Sequence, residues 1–176
     1  MNNYREISPE ELSCSPIKLI GKDWLLITAS DSTKECGANA MTASWGGLGV
    51  LWSLPVATIY IRPQRYTYSL VENEDEISLC FPSEKYRKAL GLCGTKSGRD
   101  CDKIAEAGLT VKKVDGVPVI YESELILICK KLYADDIKKE NFVDEHPLSH
   151  YEKNDFHRFY VLEIKKVLVK DWPSAI

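Results

Sequence analysis

The spacing of apolar side chains predicts a chain built mainly of β-strands. The run Leu25-Leu26-Ile27-Thr28-Ala29 is typical of a strand buried on both faces. Between Phe156 and Lys170, apolar residues alternate with polar ones, as in a strand with one buried face. By the same patterns we predict strands over residues 25–29, 38–45, 56–61, 77–81, 109–114, 117–121, 124–133 and 156–170. About seven or eight strands with two or three short helices indicate a closed antiparallel barrel with helices at its rim.

Three short helices are predicted between the strands. One opens at Arg62-Pro63 and runs to about Glu72, because proline is well tolerated in a first helical turn. Residues 83–92 have helical spacing. The segment Ser97-Gly98-Arg99-Asp100 fits a capping pattern, in which a hydroxyl and a carboxylate three residues later satisfy free amides, and its helix would end near Gly108.

The chain carries no charged side chain from Cys36 to Ile61. Four glycines and Pro55 interrupt this stretch, so that a membrane-spanning helix would be broken and would expose polar groups to lipid. We interpret it as two buried strands joined by a packed loop over residues 45–52. Such a region would exclude charge because something neutral and flat packs there.

Composition excludes several classes of function. With 23 basic and 26 acidic side chains in 176 residues, the formal net charge is −3, and no run of Lys or Arg offers a polyanion a surface. Nucleic acid and membranes are therefore not expected partners. The first twelve residues lack the apolar stretch of a signal peptide, which predicts a cytoplasmic protein.

Cysteine and histidine spacing does not indicate a metal site. The six cysteines are scattered without a CxxC pair and are expected to be reduced. His146 and His150 lie four residues apart, but Pro147 between them spoils the helix that such a ligand pair needs. We predict no metal and a single domain over residues 1–176, with a core of about 17–170 and an excursion, expected to be mobile, over 135–154.

Two segments combine cations, hydroxyls and predicted helix starts. Arg62-Pro63-Gln64-Arg65-Tyr66-Thr67 offers two guanidinium groups, a hydroxyl and free amides to a phosphate. Lys96-Ser97-Gly98-Arg99, followed by Lys103, repeats the combination. The alternative is a pair of solvated turns with surface cations. If one anion lies between them, the uncharged stretch supplies the rest of a ligand site.

Polar and aromatic residues of that stretch suit a flat heterocycle. Asn39, Thr42 and Ser44 could hydrogen-bond to the rim of a ring whose faces meet Met41 and Trp45. A phosphate at one end and a neutral ring at the other describe a flavin mononucleotide, FMN.

These motifs, in their order and spacing, resemble the flavin reductase-like family, in particular its flavoredoxin-type members. The resemblance rests on residues 39–45, Pro55, 61–67, Cys93-Gly94 and 97–103, and it extends from about Ile17 to Val169. It implies an FMN-binding split β-barrel of antiparallel Greek-key type, usually a homodimer with flavin at the subunit interface. It also implies that Asn39, Met41, Thr42 and Ser44 contact the ring and ribityl chain, and that Arg62, Arg65, Thr67, Ser97 and Lys103 surround the phosphate.

One motif of the family is only partly present. Its members commonly carry Gly-Asp-His before the last strand, whereas this chain has Asp155-Phe156-His157, with Leu162 where a glycine is usual. The resemblance implies that His157 lies near the flavin or the nicotinamide. A surface histidine at a strand start is the alternative.

The resemblance implies a reductase that oxidises NAD(P)H through bound FMN and reduces free flavin, ferric iron or a redox protein. A flavin-binding electron carrier that does not turn over nicotinamide is the second hypothesis. A barrel that binds no flavin is the third. Cys93, beside Gly94 and a predicted cationic helix start, is either a thiol of lowered pKa or a buried structural cysteine.

Overall fold

A computed structural model describes Met1 and residues 3–170 and shows a rolled antiparallel sheet. Seven strands follow one another in the order β3-β2-β6-β9-β10-β5-β4, and β1 adds to β10. A separate hairpin consists of β7 and β8. The strands are β1 (Arg5–Ile7), β2 (Leu25–Ser30), β3 (Ala38–Ala43), β4 (Gly46–Leu51), β5 (Leu54–Ile61), β6 (Glu76–Pro82), β7 (Val111–Val114), β8 (Val117–Ile120), β9 (Ser123–Asp136) and β10 (Arg158–Val169).

The two ends of this sheet are consecutive strands. β3 begins the order and β4 ends it, and among the described residues no ladder joins them. The barrel is therefore split at this point rather than closed, as the family resemblance implies and contrary to the closed barrel that strand count alone suggested. The mainly β architecture with short helices is confirmed.

The central strands are buried on both faces. Leu25 and Ile27 of β2 point into the barrel, whereas Leu26 belongs to a second apolar cluster outside it. On β9, Leu127 and Ile128 divide in the same way. This two-sided burial explains why these strands are almost continuously apolar in sequence.

Four short α-helices accompany the sheet. They are α1 (Pro16–Lys18), α2 (Tyr66–Asn73), α3 (Arg87–Thr95) and α4 (Lys103–Glu106). Leu90 and Cys93 of α3 and Ile104 of α4 pack on the outer cluster. No helix that the structure describes is long and apolar enough to cross a membrane.

The packed loop predicted over residues 45–52 is wrong: most of it is the edge strand β4. It pairs along its whole length with β5, and the connecting turn places Trp52 and Ser53 at φ values of 54° and 59°. Its glycines suit this pairing, since a Cβ on Gly46 would lie 2.6 Å from the Thr58 carbonyl oxygen. The charge-free stretch thus contains three strands, and β4 is largely exposed rather than buried.

Two predicted helix starts are also wrong. α2 begins at Tyr66, so that Pro63 lies in the preceding turn rather than in the helix. The helix predicted from Ser97 is reduced to α4, whose cap is Asp102: its carboxylate accepts from the Ala105 amide at 3.1 Å. The predicted helix over 83–92 is a 3-10 turn (Glu84–Tyr86) followed by α3.

The segment between β9 and β10 is folded against the barrel. It contains two 3-10 helices, Lys139–Asn141 and His146–Tyr151, and buries Tyr151. The excursion predicted to start at residue 135 starts later, because β9 continues to Asp136.

Candidate functional site

A cleft of about 240 Å³ opens beside the split in the barrel. It receives side chains from the end of β3, from β5 and the turn after it, and from the residue before β10. Its lining consists of Met41, Thr42, Ala43, Ser44, Trp45, Tyr60, Arg62, Arg65 and His157. Seven of these nine residues were predicted from the sequence as site residues, and the structure brings them together.

The end of β3 presents different side chains to its two faces. Met41 belongs to the barrel core, whereas the Thr42 hydroxyl donates to the Leu90 carbonyl of α3 at 2.5 Å. Gly94 of α3 lies against Thr42, and a Cβ at Gly94 would be 3.4 Å from that of Thr42. The Thr42 hydroxyl proton is thus engaged, and its oxygen remains available as an acceptor. Trp45, just beyond the strand, is 39% exposed and supplies an apolar surface to the cleft.

Arg65 is the clearest sign that the cleft takes an anion. Its Nη1 donates to the Gly94 carbonyl at 2.9 Å. Its Nη2 is buried and has no hydrogen-bond partner among the described residues. Burial lowers the pKa of this guanidinium. A buried, unpaired donor on a cation is costly unless a ligand completes it.

Lys103 stands close to this arginine. It is 2% exposed, and its ammonium donates to the carbonyls of Cys93 and Lys96 at 3.2 and 3.3 Å. Burial lowers the pKa of Lys103 to about 8, and the charge of Arg65 adds to the effect. The end of α3 is therefore held by two buried cations that repel each other, an arrangement that a phosphate would relieve.

A tightly packed polar cluster supports the same turn. The Asn39 amide donates to the Thr67 hydroxyl at 2.7 Å, and both residues are buried. Gly98 packs on them so closely that a Cβ there would lie 2.3 Å from Asn39 Oδ1 and 2.6 Å from the Tyr66 ring. Asn39, Tyr66, Thr67 and Gly98 thus form one unit that joins β3 and α2 to the 96–102 loop, but they lie outside the lining of the cleft.

Ser97 and Arg99 are further from the cleft. The Ser97 hydroxyl accepts from the Arg99 amide at 3.2 Å, inside its own turn. The Arg99 guanidinium lies 5.2 Å above the Tyr66 ring and donates to the Gln64 carbonyl at 3.1 Å. Ser97 thus stabilises its own turn, and Arg99 holds the 96–102 loop against the start of α2.

Arg62 lines the cleft but is already engaged by the segment before β10. It forms an ion pair with Asp155, which also accepts from the Gln64 amide at 2.7 Å. A second guanidinium nitrogen donates to the His150 carbonyl at 2.9 Å. The ion pair with Arg62 lowers the pKa of Asp155. Arg62 therefore anchors the 137–156 segment to the turn before α2.

His157 is buried in the wall of the cleft rather than exposed at a strand start. Its Nδ1 lies 3.0 Å from the Tyr151 hydroxyl, and its ring centroid is 4.9 Å from that of Trp45. Burial, with a contribution from Arg62, lowers its pKa to about 4. The imidazole is neutral at pH 7, so it can exchange hydrogen bonds but does not carry a positive charge.

The sequence analysis missed three residues of this neighbourhood. Tyr60 could have been found, because it lies two residues before Arg62 on the same face of β5. Tyr151 and Asp155 could not, since no local pattern relates them to Arg62 or His157. Cys93 is the buried structural cysteine of the two alternatives, and burial raises its pKa to about 11.

Metal ligands do not converge in the described part of the chain. Among Met1 and residues 3–170, no group of three or more His, Cys, Asp and Glu side chains is arranged to hold a metal ion. All six cysteines are free thiols.

The residues present fit a phosphate-bearing flavin. Arg65 Nη2 and the neighbouring Lys103 offer a buried positive centre, and the apolar wall with Trp45 offers a surface for a flat ring. Ser44 and His157 supply polar atoms along the same cleft.

Comparison with known proteins places the chain in a family. A family model described as "flavin reductase like domain" matches residues 20–171. None of the curated proteins compared matches the chain. Among solved structures, an FMN-binding domain of a flavin reductase-like enzyme from Shewanella baltica superposes with a TM-score of 0.67 at 14% identity, covering 96% of this chain and 78% of that one.

Two flavoredoxins show the same fold. The protein from Methanosarcina acetivorans has a TM-score of 0.64 at 22% identity and covers 85% of this chain and 69% of its own. That from Desulfovibrio vulgaris has a TM-score of 0.65 at 22% identity, with coverage of 84% and 69%. With its split barrel and the match over residues 20–171, the chain belongs to the flavin reductase-like family.

Proposed function

We propose that the chain binds FMN in this cleft and oxidises NAD(P)H through it, delivering the electrons to free flavin, ferric iron or a redox protein. The observation that carries the proposal is the buried, unpartnered Arg65 Nη2 beside Lys103, next to a cleft with an aromatic wall. Family membership and the FMN-binding domain from Shewanella baltica support it. When bound, FMN supplies the redox chemistry by accepting hydride and passing electrons on.

The protein's own residues bind and orient. Arg65 and Lys103 hold the phosphate through charge-assisted hydrogen bonds. Ser44 lies along the cleft, where its hydroxyl can stabilise charge that develops on a ring atom, while Thr42, whose proton is donated to the Leu90 carbonyl, offers only an acceptor oxygen. Neutral His157, held by Tyr151, offers a hydrogen bond in the same wall without adding charge. No acid–base pair is needed for hydride transfer, so these residues act by position.

A homodimer with FMN at the interface is part of the proposal. The cleft of about 240 Å³ is smaller than ordinary ligand sites of about 300–1,000 Å³, so a nucleotide would extend beyond it. A second subunit would cover the extending part. The exposed rings of Trp52, in the turn after β4, and of Tyr133 on β9 support this arrangement.

The test is the visible spectrum of the purified protein, supplemented with FMN and desalted under nitrogen, before and after NADH or NADPH is added. A retained yellow colour that bleaches within seconds is the expected result. A colour that persists would contradict the reductase and favour the electron carrier. A colourless protein would overturn the flavin assignment itself.

A further inference from the structure

A second cavity, of about 530 Å³, adjoins the cleft and shares Trp45 with it. It lies between the end of β9, the 137–151 segment and Phe159 of β10. Its volume falls within the range of small-molecule sites, and most of its wall is apolar or aromatic. Of its lining, only Trp45 and Tyr151 have a part in the function proposed above.

The walls of this cavity are held in place before any ligand arrives. Phe142 packs edge-on against Tyr151 at 6.0 Å, and Tyr151 stacks on Phe156 at 4.6 Å. Arg62 lies 5.4 Å from the centre of the Tyr151 ring and is itself paired with Asp155. A preformed aromatic cavity binds without the entropic cost of ordering its walls.

The rim of the cavity disfavours anions. Three aspartates and one lysine line it, so its formal charge is negative. Asp135 pairs with Lys138 at 3.5 Å and Asp136 pairs with Arg158 at 3.1 Å, so the net negative charge of the rim comes from Asp144, and one carboxylate at an exposed rim attracts a cation only weakly. Two rim residues, Asn141 and His150, make no side-chain hydrogen bond among the described residues and can bind a polar group of a ligand.

We propose that this cavity is a binding site for a small uncharged aromatic compound of one or two rings that carries a hydroxyl or carbonyl oxygen. The aromatic wall contacts the ring faces, while Asn141 and His150 hydrogen-bond the oxygen. The His150 ring also packs edge-on against Trp45 at 5.2 Å, and Trp45 lines both the cavity and the cleft. This proposal rests on the proposed function in one respect only: if FMN occupies the cleft, the bound aromatic compound is its neighbour.

The test is calorimetric titration of the full chain, with and without added FMN, using 2-naphthol and 2-naphthalenesulfonate as probes. We expect 2-naphthol to bind one to one, with a Kd below about 1 mM, and the sulfonate to bind about tenfold more weakly, because the same ring then brings a negative charge to an acidic rim. Saturable binding of the sulfonate as tight as that of 2-naphthol would overturn the ligand class.

Two matched variants locate the probe. Phe142 and Tyr86 are both half-buried aromatic residues, but only Phe142 lines the cavity, whereas Tyr86 packs against the outer apolar cluster. Phe142→Leu should weaken 2-naphthol binding about tenfold, whereas Tyr86→Leu should leave it within about twofold. If Phe142→Leu does not unfold cooperatively, His150→Ala at the exposed rim replaces it, with loss of affinity expected again.

The results separate the two proposals. Absence of 2-naphthol binding, or equal binding by wild type and the cavity variants, overturns the cavity proposal even if FMN is retained. A chain that fails to retain FMN but binds 2-naphthol in a Phe142-dependent way leaves the cavity proposal standing and overturns the flavin assignment.

Discussion

Arg65 serves two purposes with one side chain. Nη1 holds the Gly94 carbonyl at the end of α3, and Nη2 is left for a ligand. The first role is structural and the second is specific to an anion. A substitution of Arg65 removes both contacts, so its control is the same substitution at an arginine whose contacts are purely structural.

Arg65→Met should weaken FMN binding by about 1.5–3 kcal/mol, because a charge-assisted hydrogen bond to phosphate is lost. The measurement is the Kd from quenching of flavin fluorescence. Arg87→Met is the control, since Arg87 also donates to backbone carbonyls, those of Lys22 and Asp23, but lies outside the cleft lining. Equal affinity in wild type and Arg65→Met would remove Arg65 from the phosphate site.

His157 makes stability depend on pH in a defined window. Its pKa is about 4 in the folded protein and about 6.5 when unfolded, so the unfolded chain takes up the proton first as the pH falls. The free energy of unfolding should decrease between pH 6.5 and 4. His157→Gln should show a smaller decrease in urea unfolding over this range, and His146→Gln, an exposed control, should behave as wild type. Parallel curves for wild type and His157→Gln would contradict the assignment.

The pairing of β4 with β5 depends on a glycine at a position where the two backbones approach each other closely. Gly46 lies where a Cβ would meet the Thr58 carbonyl at 2.6 Å, whereas Gly49 in the same strand has open space. Gly46→Ala should lower the free energy of unfolding by about 1–3 kcal/mol, since backbone must shift to admit the methyl group. Gly49→Ala should change it by less than about 0.5 kcal/mol. Urea unfolding of both variants checks this, and similar values would show that β4 is not packed so closely.

The 137–156 segment is a second element whose place depends on a few contacts. It is joined to the barrel by Arg62–Asp155 and by Tyr151–His157. It lines the second cavity, and it contacts Arg62 and His157 in the wall of the cleft. Its position thus links the two sites.

At the scale of the whole molecule, exposed apolar side chains indicate an interface. Val50, Leu51 and Trp52 of the β4–β5 hairpin are 78%, 40% and 57% exposed, and Tyr133 of β9 is 46% exposed. The rings of Trp52 and Tyr133 are 6.5 Å apart, so these two side chains form one exposed aromatic patch. Contiguous apolar surface of this kind usually marks a protein contact.

The chain should therefore run at twice its 19.9 kDa mass in light scattering at micromolar concentration. Trp52→Asp should shift it to the monomer, because a carboxylate in the interface is costly to desolvate, while the left-handed turn tolerates aspartate. Lys112→Glu on the separate β7–β8 hairpin is the control. A monomeric wild-type protein would contradict the dimer.

Much of the fold and part of the site were predictable from local pattern. Burial of alternate or consecutive residues is encoded within a strand, which is why β2, β6 and β9 were identified. Arg65 and Lys103, which we propose as the phosphate site, were likewise visible because each stands with a second cation and a hydroxyl at a predicted helix start. The pattern was misleading for β4, because several glycines in a short segment are typical of a loop. Only the structure shows that the Thr58 carbonyl of β5 leaves no room for a side chain at Gly46.

What the sequence by itself determined is thus the mainly β class, most strands, and most of the residues that line the cleft. Only the tertiary structure decided how those groups are used. Arg62 was predicted at a phosphate, yet its carboxylate partner is Asp155, 93 residues away. Burial, with a contribution from Arg62, lowers the pKa of His157, so the imidazole is neutral. Contacts across such separations depend on how the chain crosses the sheet, and local periodicity carries no information about that path.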